Sequence, residues 1–199
     1  MSKKMGIGCI ALGLLCLLTA LGFLVYNHWE AQNGEKTAQA LLQNVQERIH
    51  ENEPEHTPDG ISESREMLTV PAGDYESIGI LSIPVLDLEL PVLTDWSYQK
   101  LKKAPCHYYG TCYEPNFVIA AHNYASHFGK LSKLQPGDLV LFTDVTGEVY
   151  GYEVVLLETL APTATQEMIA SGFDLSLYTC TPGGSNRVTV RCRSVNFKE

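Results

Sequence analysis

Cys180 and Arg187 are of types that can cooperate in acyl transfer, and both lie at the ends of strand-like segments. Cys180 ends the run LSLYTC, and TPGGSN separates it from RVTVRC, which begins with Arg187. A nucleophilic cysteine needs a neighbour that favours its thiolate, and acyl transfer needs donors for the developing oxyanion. An antiparallel hairpin here would bring Arg187 close to Cys180. Strand alternation places Arg187, Thr189 and Arg191 on one face, where an arginine is costly unless it is paired or lines a cleft. A solvent-exposed arginine on an edge strand is the alternative.

His122 is the histidine best placed to complete such a site. It directly follows NFVIAA, and the end of a strand can aim a ring into a cleft. A hydrogen-bonded structural histidine is the alternative interpretation. A metal site built from His122, His127 and a cysteine would lack paired CxxC or HExxH spacing, so we predict no metal and no cofactor. The other histidines are expected in solvent or in a loop: His28, His50, His56 and His107.

The six cysteines fall into two groups. Cys9 and Cys16 lie in an apolar N-terminal run, where they act as small apolar residues. The remaining four, Cys106, Cys112, Cys180 and Cys192, allow three disulfide pairings in an oxidising compartment. A short loop stapled by Cys106 and Cys112 is one open possibility. Cys192 shares a strand face with Val188 and Val190, which predicts a buried thiol in the core.

An uncharged N-terminal segment, residues 5–26, predicts a membrane anchor. As a helix it would extend roughly 33 Å, about the thickness of a hydrocarbon core. A cleaved signal peptide is the alternative, although its apolar region usually runs only about 7 to 15 residues. Lys3 and Lys4 precede the segment. The positive-inside rule therefore predicts a single-pass protein of the cell membrane, with residues 1–4 in the cytoplasm and the part after residue 27 outside.

Residues 27–68 are polar and acidic and are interpreted as a stalk and linker. Apolar residues between Ala40 and Ile49 recur at rough helical spacing, which predicts a short amphipathic helix. NEPEHTPDG then breaks the pattern with prolines and a glycine. We expect a solvated spacer here rather than a docking surface.

Residues 69–199 carry the pattern of a β-rich domain. Short runs rich in Val, Ile, Tyr and Thr alternate with turn signals such as PGD and VTGE. They predict an all-β fold, a closed β-barrel of seven to eight strands with short helices, one of them near SYQKLKK. The predicted strands are IGILSIPVL, LELPVL, NFVIAA, DLVLFTD, VYGYEVVLLETL, DLSLYTC and RVTVRC. The formal net charge of −9 and the absence of a basic stripe argue against nucleic-acid binding.

Three motifs in this domain resemble those of the sortases, the membrane-anchored cysteine transpeptidases of mainly Gram-positive bacteria. SLYTC, residues 176–180, resembles the family's TLxTC signature with serine in place of the first threonine. AAHNY, residues 120–124, resembles the histidine motif, with Ala121 where glycine is frequent. NRVTVRC supplies the family arginine as Arg187, with Arg191 the less favoured holder of that role. The motifs occur in the family's order, behind an N-terminal anchor.

The resemblance implies a sortase-type barrel that binds an LPxTG-like sorting signal. Cys180 would attack the carbonyl after the motif's threonine, and His122 would protonate the leaving amine as the general acid and base. Arg187 would hold the substrate and the oxyanion. Thr179 and Asn123 would contact the substrate. An amine from a cell-wall precursor or a pilin would then resolve the thioester.

The resemblance places the subclass closest to class B or class D. No DPW-type or DPF-type lid segment precedes IGILSIP, which argues against the pilus-polymerising subclass. The connection 160–175 is expected to form part of the groove wall and to set peptide preference. Two other functions remain open: a secreted cysteine peptidase, in which water resolves the acyl-enzyme, and a non-catalytic membrane-tethered β-domain, in which Cys180 is held in a disulfide.

Overall fold

The structure, a computed structural model, describes residues 3–51 and 66–196. Helix α1 spans Lys3–Glu51 and unites the apolar N-terminal segment and the polar segment behind it in one continuous helix. Its most apolar window has a mean hydropathy of 2.5 and none of it is buried against the protein. By length and composition α1 is therefore a candidate membrane span.

The second half of α1 packs against the rest of the protein. Ala38, Leu41 and Val45 are almost fully buried, and Leu41 and Val45 share a hydrophobic cluster with Ile80 and Leu93 of the sheet. Residues three or four positions apart lie on the same face of a helix, so Ala38, Leu41 and Val45 form one apolar stripe. The predicted helix is present, but the expectation of a solvated spacer is wrong for this part. The predicted helix-breaking segment NEPEHTPDG lies outside the described residues.

Within the described residues, nine strands and two further α-helices follow, and every predicted strand segment overlaps one of the strands. The connection near SYQKLKK forms helix α2, whose N-cap Ser97 accepts a hydrogen bond from the Lys100 amide. Two short strands, β1 and β4, were not predicted. The elements are β1 (Val70–Ala72), β2 (Tyr75–Ile83), β3 (Leu88–Leu93), α2 (Tyr98–Leu101), β4 (Cys106–Tyr109), β5 (Phe117–Ala120), β6 (Leu139–Asp144), β7 (Val149–Leu160), α3 (Thr165–Ile169), β8 (Leu175–Cys180) and β9 (Arg187–Val195). Short 3₁₀ turns occupy Pro84–Leu86 and Leu131–Lys133.

The sheet closes into a barrel of eight strands. Its order is β1-β2-β3-β4-β5-β8-β9-β7-β6, and β6 pairs back onto β2. Strand β1 is left as an extra edge strand on β2. Closure removes the edges of the remaining strands, and the interior is filled by their inward-facing apolar side chains. This confirms the predicted closed all-β barrel with short helices behind a long apolar helix.

All six cysteines are free in the structure, so the possible Cys106–Cys112 staple is not formed. The two thiols lie in different hydrophobic clusters, Cys106 in the one covered by α1 and Cys112 in the barrel interior. Cys192 is buried in the barrel interior beside Val190, as predicted from strand alternation. Burial raises the pKa of the Cys106, Cys112 and Cys192 thiols to about 12. These three thiols are therefore poor nucleophiles.

Candidate active site

Cys180 and Arg187 face each other across the hairpin of β8 and β9. They form the last pair of the antiparallel register, directly opposite each other. The turn is closed by the Thr181 amide, which donates to the Asn186 carbonyl at 2.9 Å. Gly183 and Gly184 both have positive φ angles, of 84° and 76°. Residues without a Cβ are favoured at such positions, so the PGG sequence fits this turn.

Strand β5 brings His122 to the other side of Cys180. It runs parallel to β8 with Ala120 paired to Tyr178, and the Ala121 amide donates to the Tyr178 carbonyl at 3.2 Å. His122 lies two residues beyond Ala120, and Cys180 lies two residues beyond Tyr178. The two residues are therefore at the same level on neighbouring strands. Neighbouring residues on three adjacent strands share a face of the sheet. His122, Cys180 and Arg187 therefore line up across β5, β8 and β9.

Thr179 links the two strands at this end. Its hydroxyl is buried and donates to the Ala121 carbonyl at 2.8 Å. Because successive side chains alternate, this hydroxyl lies on the face opposite Cys180. Thr179 is nonetheless one of the residues that line the cleft beside Cys180. Asn123, the other residue expected to contact substrate, is partly buried next to His122 and does not line that cleft.

The His122 ring is held in an aromatic and apolar setting. It stacks on Tyr124 with ring centroids 4.1 Å apart and an interplanar angle of 19°. Its Nδ1 atom is buried and has no hydrogen-bond partner among the described residues. Burial is the main cause that lowers the pKa of His122 below its usual value. The neutral imidazole, the form that can accept a proton from a thiol, is thereby favoured.

A cleft of about 180 Å³ opens beside Cys180 and Arg187. One wall is the connection between β7 and β8, which confirms that the 160–175 segment lines the groove. The other wall is aromatic: Tyr108 packs edge-on against Tyr178, with centroids 5.3 Å apart, and Trp96 packs against Tyr108. The cleft residues are Trp96, Tyr98, Leu101, Tyr108, Ala120, Ala121, Ala161, Pro162, Ala164, Thr165, Met168, Tyr178, Thr179, Cys180 and Arg187. Such a cleft suits an extended peptide with apolar side chains.

Strand alternation predicts one face of β9 for both Arg187 and Arg191, but the environments of the two side chains differ. Arg187 lines the cleft, and its Nη1 atom donates to the Gly184 and Asn186 carbonyls at 3.2 and 3.1 Å. Arg191 is only 1% exposed and pairs with Glu158 at 2.7 Å. Its guanidinium also donates to the Ser176 hydroxyl and to the Glu167 and Met168 carbonyls. Arg191 thus fixes α3 to the sheet, while Arg187 alone of the two faces the cleft.

The middle of α1 contributes a charged residue, Glu30, that no sequence pattern connected with the site. Glu30 pairs with Lys102 at 2.6 Å. The Glu30 carboxylate acts to raise the pKa of His122, and the Lys102 ammonium acts to lower it. These two residues are 72 positions apart, so no local pattern in the sequence could have paired them.

The other candidate residues have structural surroundings. His107 bonds to the Thr94 and Gly110 carbonyls, at 3.1 and 2.7 Å. His127 is fully buried, and burial lowers its pKa to about 4. Within residues 3–51 and 66–196, no three His, Cys, Asp or Glu side chains are grouped as metal ligands. A larger cavity, of about 590 Å³, lies between the segments 112–115 and 149–152 and contains none of the three aligned residues.

On a closed β-barrel, a free cysteine and an arginine beside a cleft, with a histidine at the end of the neighbouring strand, are the residue types that cysteine acyl transfer requires. The family model of the Sortase domain matches residues 81–195, more than half of the chain. The chain therefore belongs to the sortase family. A comparison with curated proteins finds no match.

Solved sortases share this fold. Sortase C-1 from Streptococcus pneumoniae is 30% identical, with a TM-score of 0.55, over 61% of this chain and 68% of that one. Sortase D5 from Clostridium perfringens is 19% identical, with a TM-score of 0.60, over 81% and 99%. A lid mutant of sortase A from Corynebacterium diphtheriae is 21% identical, with a TM-score of 0.56, over 80% and 96%. The similar structures belong to several subclasses and do not assign one to this chain.

Proposed function

We propose that this sortase is a membrane-anchored transpeptidase that cleaves an LPxTG-like sorting signal and joins the released acyl group to an amine. The observation that carries the proposal is that Cys180 and Arg187 line the cleft as the last pair of β8 and β9, while β5, parallel to β8, ends level with Cys180 and carries His122. Cys180 is the free cysteine on the cleft side of the sheet. It is also partly exposed, as a nucleophile must be.

The first half-reaction transfers the acyl group to the thiol. The Cys180 sulfur attacks the carbonyl carbon after the motif's threonine, and Arg187 with backbone amides stabilises the oxyanion. The peptide C–N bond breaks, and the leaving amine takes a proton from the His122 ring, which had accepted one from the thiol. The product is a thioester on Cys180 and a released C-terminal peptide.

The second half-reaction resolves the thioester. An incoming amine of a cell-wall precursor or a pilin attacks the same carbonyl, His122 accepts its proton, and the thiolate leaves. A new amide bond forms and Cys180 is regenerated with its proton. The apolar cleft walls disfavour water at the acyl-enzyme, which favours amine transfer over hydrolysis. Thr179 would bind the substrate through its backbone, and Asn123 would bind it beside His122.

The proposal includes the placement of the chain in the membrane. Residues 5–26 of α1 form the span, residues 1–4 lie in the cytoplasm, and the catalytic barrel of residues 69–199 lies outside the cell. Lys3 and Lys4 on one side of the span, and acidic residues such as Glu30 and Glu35 on the other, support this orientation. A single-pass topology also places the cleft on the side where sorting signals and cell-wall amines are found.

The test uses the full chain in detergent micelles with LPxTG-like peptides and triglycine, read by mass spectrometry. We expect a peptide–triglycine product and a covalent adduct on the wild type. Cys180→Ala should abolish both, whereas Cys16→Ala, which removes an exposed cysteine of α1, should leave both unchanged. If the peptide is only hydrolysed, whichever amine is supplied, the protein is a peptidase and not a transpeptidase. No adduct, together with an oxidised Cys180, would favour a non-catalytic domain.

A further inference from the structure

The turn of α1 at Glu30–Gly34 lies directly against the histidine side of the active site. Glu30 pairs with Lys102, the residue that caps the C-terminal end of α2. The Glu30 side chain is 24% exposed and the Lys102 side chain is 41% exposed, so the ion pair lies at the surface. A surface ion pair contributes little to stability. The apolar stripe further along α1 therefore supplies most of its attachment to the barrel, and the ion pair marks the contact at this level.

Gly34 lies in close contact with residues next to the site. A Cβ atom at this position would lie 2.8 Å from the Lys102 carbonyl oxygen and 3.1 Å from Cε2 of Tyr124. Glycine inside a helix is destabilising relative to alanine. The close contact gives a packing reason for a glycine here. At Gly22, on the same helix, a Cβ atom would meet nothing within 4 Å.

Tyr124 transmits this contact to His122. One part of its ring meets Gly34, and its face stacks on the His122 ring at 4.1 Å. Burial, with the nearby Glu30 carboxylate, raises the pKa of Tyr124 to about 12, so the phenol stays neutral. His127 packs against the same tyrosine, with centroids 5.5 Å apart. Tyr124 is thus fixed on two sides and presents a rigid platform to His122.

We infer that the Glu30–Gly34 turn of the anchor helix is a positioning element of the active site, which holds the His122 ring in place through Tyr124. The inference rests on the proposed function, because it assigns a catalytic role to His122. Glu30 follows the end of the proposed span at Tyr26 by four residues, or roughly 6 Å of helix rise. The active site is then tied to the membrane surface at a fixed height, where a membrane-linked amine acceptor would meet it.

The test compares two glycine substitutions on the same helix in the full chain, reconstituted in detergent micelles. We expect Gly34→Ala to lower kcat for peptide–triglycine transfer on the order of tenfold or more, since small misplacements of catalytic groups are that costly. KM for the peptide should stay within twofold, because the cleft walls do not include Gly34. Gly22→Ala should match the wild type in both parameters. Equal kcat for Gly34→Ala and wild type would overturn the inference.

Glu30→Gln provides an independent readout, which does not depend on a steric change. The groups that act on His122 are Glu30 from α1, Lys102 beyond α2, and Asn123, Tyr124 and His127 from its own loop. Removing the Glu30 charge leaves Lys102 uncompensated, which lowers the pKa of His122 further. Protonation of His122 removes the base, so the acidic limb of the kcat profile should move to lower pH. An unchanged profile would overturn the inference.

The proposed function and the positioning role of α1 fail on different results. If the wild type gives no transfer product with any peptide, the proposed function fails. If the wild type is active and either variant behaves like it, only the positioning role of α1 fails. A Gly34→Ala protein that does not fold is recognised by its thermal melt, and Glu30→Gln then decides alone.

Discussion

Replacement of Thr179 by valine tests how the strands that carry His122 and Cys180 are held together. Valine keeps the shape and the strand preference of threonine and removes only the hydroxyl. In Thr179→Val the Ala121 carbonyl loses the donor now 2.8 Å away. A buried polar group left without its partner costs about 1–3 kcal/mol. At about 2–4 °C per kcal/mol for a chain of this size, the melting temperature should fall by about 4–8 °C for a 2 kcal/mol loss.

Thr189→Val is the matched control. Thr189 lies on β9 opposite Tyr178, and like Thr179 it is almost fully buried. Its hydroxyl has no hydrogen-bond partner among the described residues. Thr189→Val therefore removes a buried hydroxyl that makes no hydrogen bond. The free energy of unfolding should stay equal or rise.

The assay is thermal unfolding of the full chain in detergent for the wild type and both variants, followed by transfer kinetics. Thr179→Val should also lower kcat, because the Ala121 carbonyl precedes His122 and loses its tie to β8. Equal melting temperatures for the two variants would refute the reasoning. A larger loss for Thr189→Val would show that the hydrogen bond of Thr179 is not what joins the strands.

Three further predictions follow from burial and charge. Arg191→Met should destabilise the fold by about 3 kcal/mol in chemical unfolding, since it leaves Glu158 and the α3 carbonyls without their donor. Leu41→Ala should cost about 2–5 kcal/mol, whereas Gln43→Ala on the exposed face of α1 should cost almost nothing. His127 has a pKa of about 4 in the fold against about 6.5 when unfolded, so the unfolded state binds more protons between these values. Stability should fall by about 3 kcal/mol as the pH drops from 7 to 4, and His127→Phe should remove that dependence in melts across this range.

Local patterns in the sequence predicted the barrel well because its strands carry clear alternation and turn signals. The register of Cys180 opposite Arg187 followed from one short hairpin, and the buried Cys192 followed from the same alternation. Strand β1 was missed because its three residues, VPA, are too few for a period of two to be recognised. Strand β4 was missed because its residues, CHYY, lie in the segment for which a loop stapled by Cys106 and Cys112 was considered.

The placement of His122 beside Cys180 depends on a parallel pairing between β5 and β8, which are far apart in the chain. Nothing in the local composition of either strand determines that pairing. The sequence could place both residues at strand ends, but only the resemblance to the sortase motifs predicted that they act together. Arg191 shows the same limit, because its role comes from contacts with Glu158 and α3 that only the folded chain brings together.

The α1 helix changes how a soluble form of this protein should be made. The sequence alone favoured a spacer before residue 69, so a fragment that starts at Leu68 would look complete. In the fold, Leu41 and Val45 cover Ile80 and the Val145 region of the barrel, and a fragment without α1 would expose that apolar surface to water. It would also lose the Glu30 and Gly34 contacts at the histidine side. A fragment that begins near residue 27 removes the apolar segment and keeps both, so low activity in a shorter fragment would not count against the enzyme.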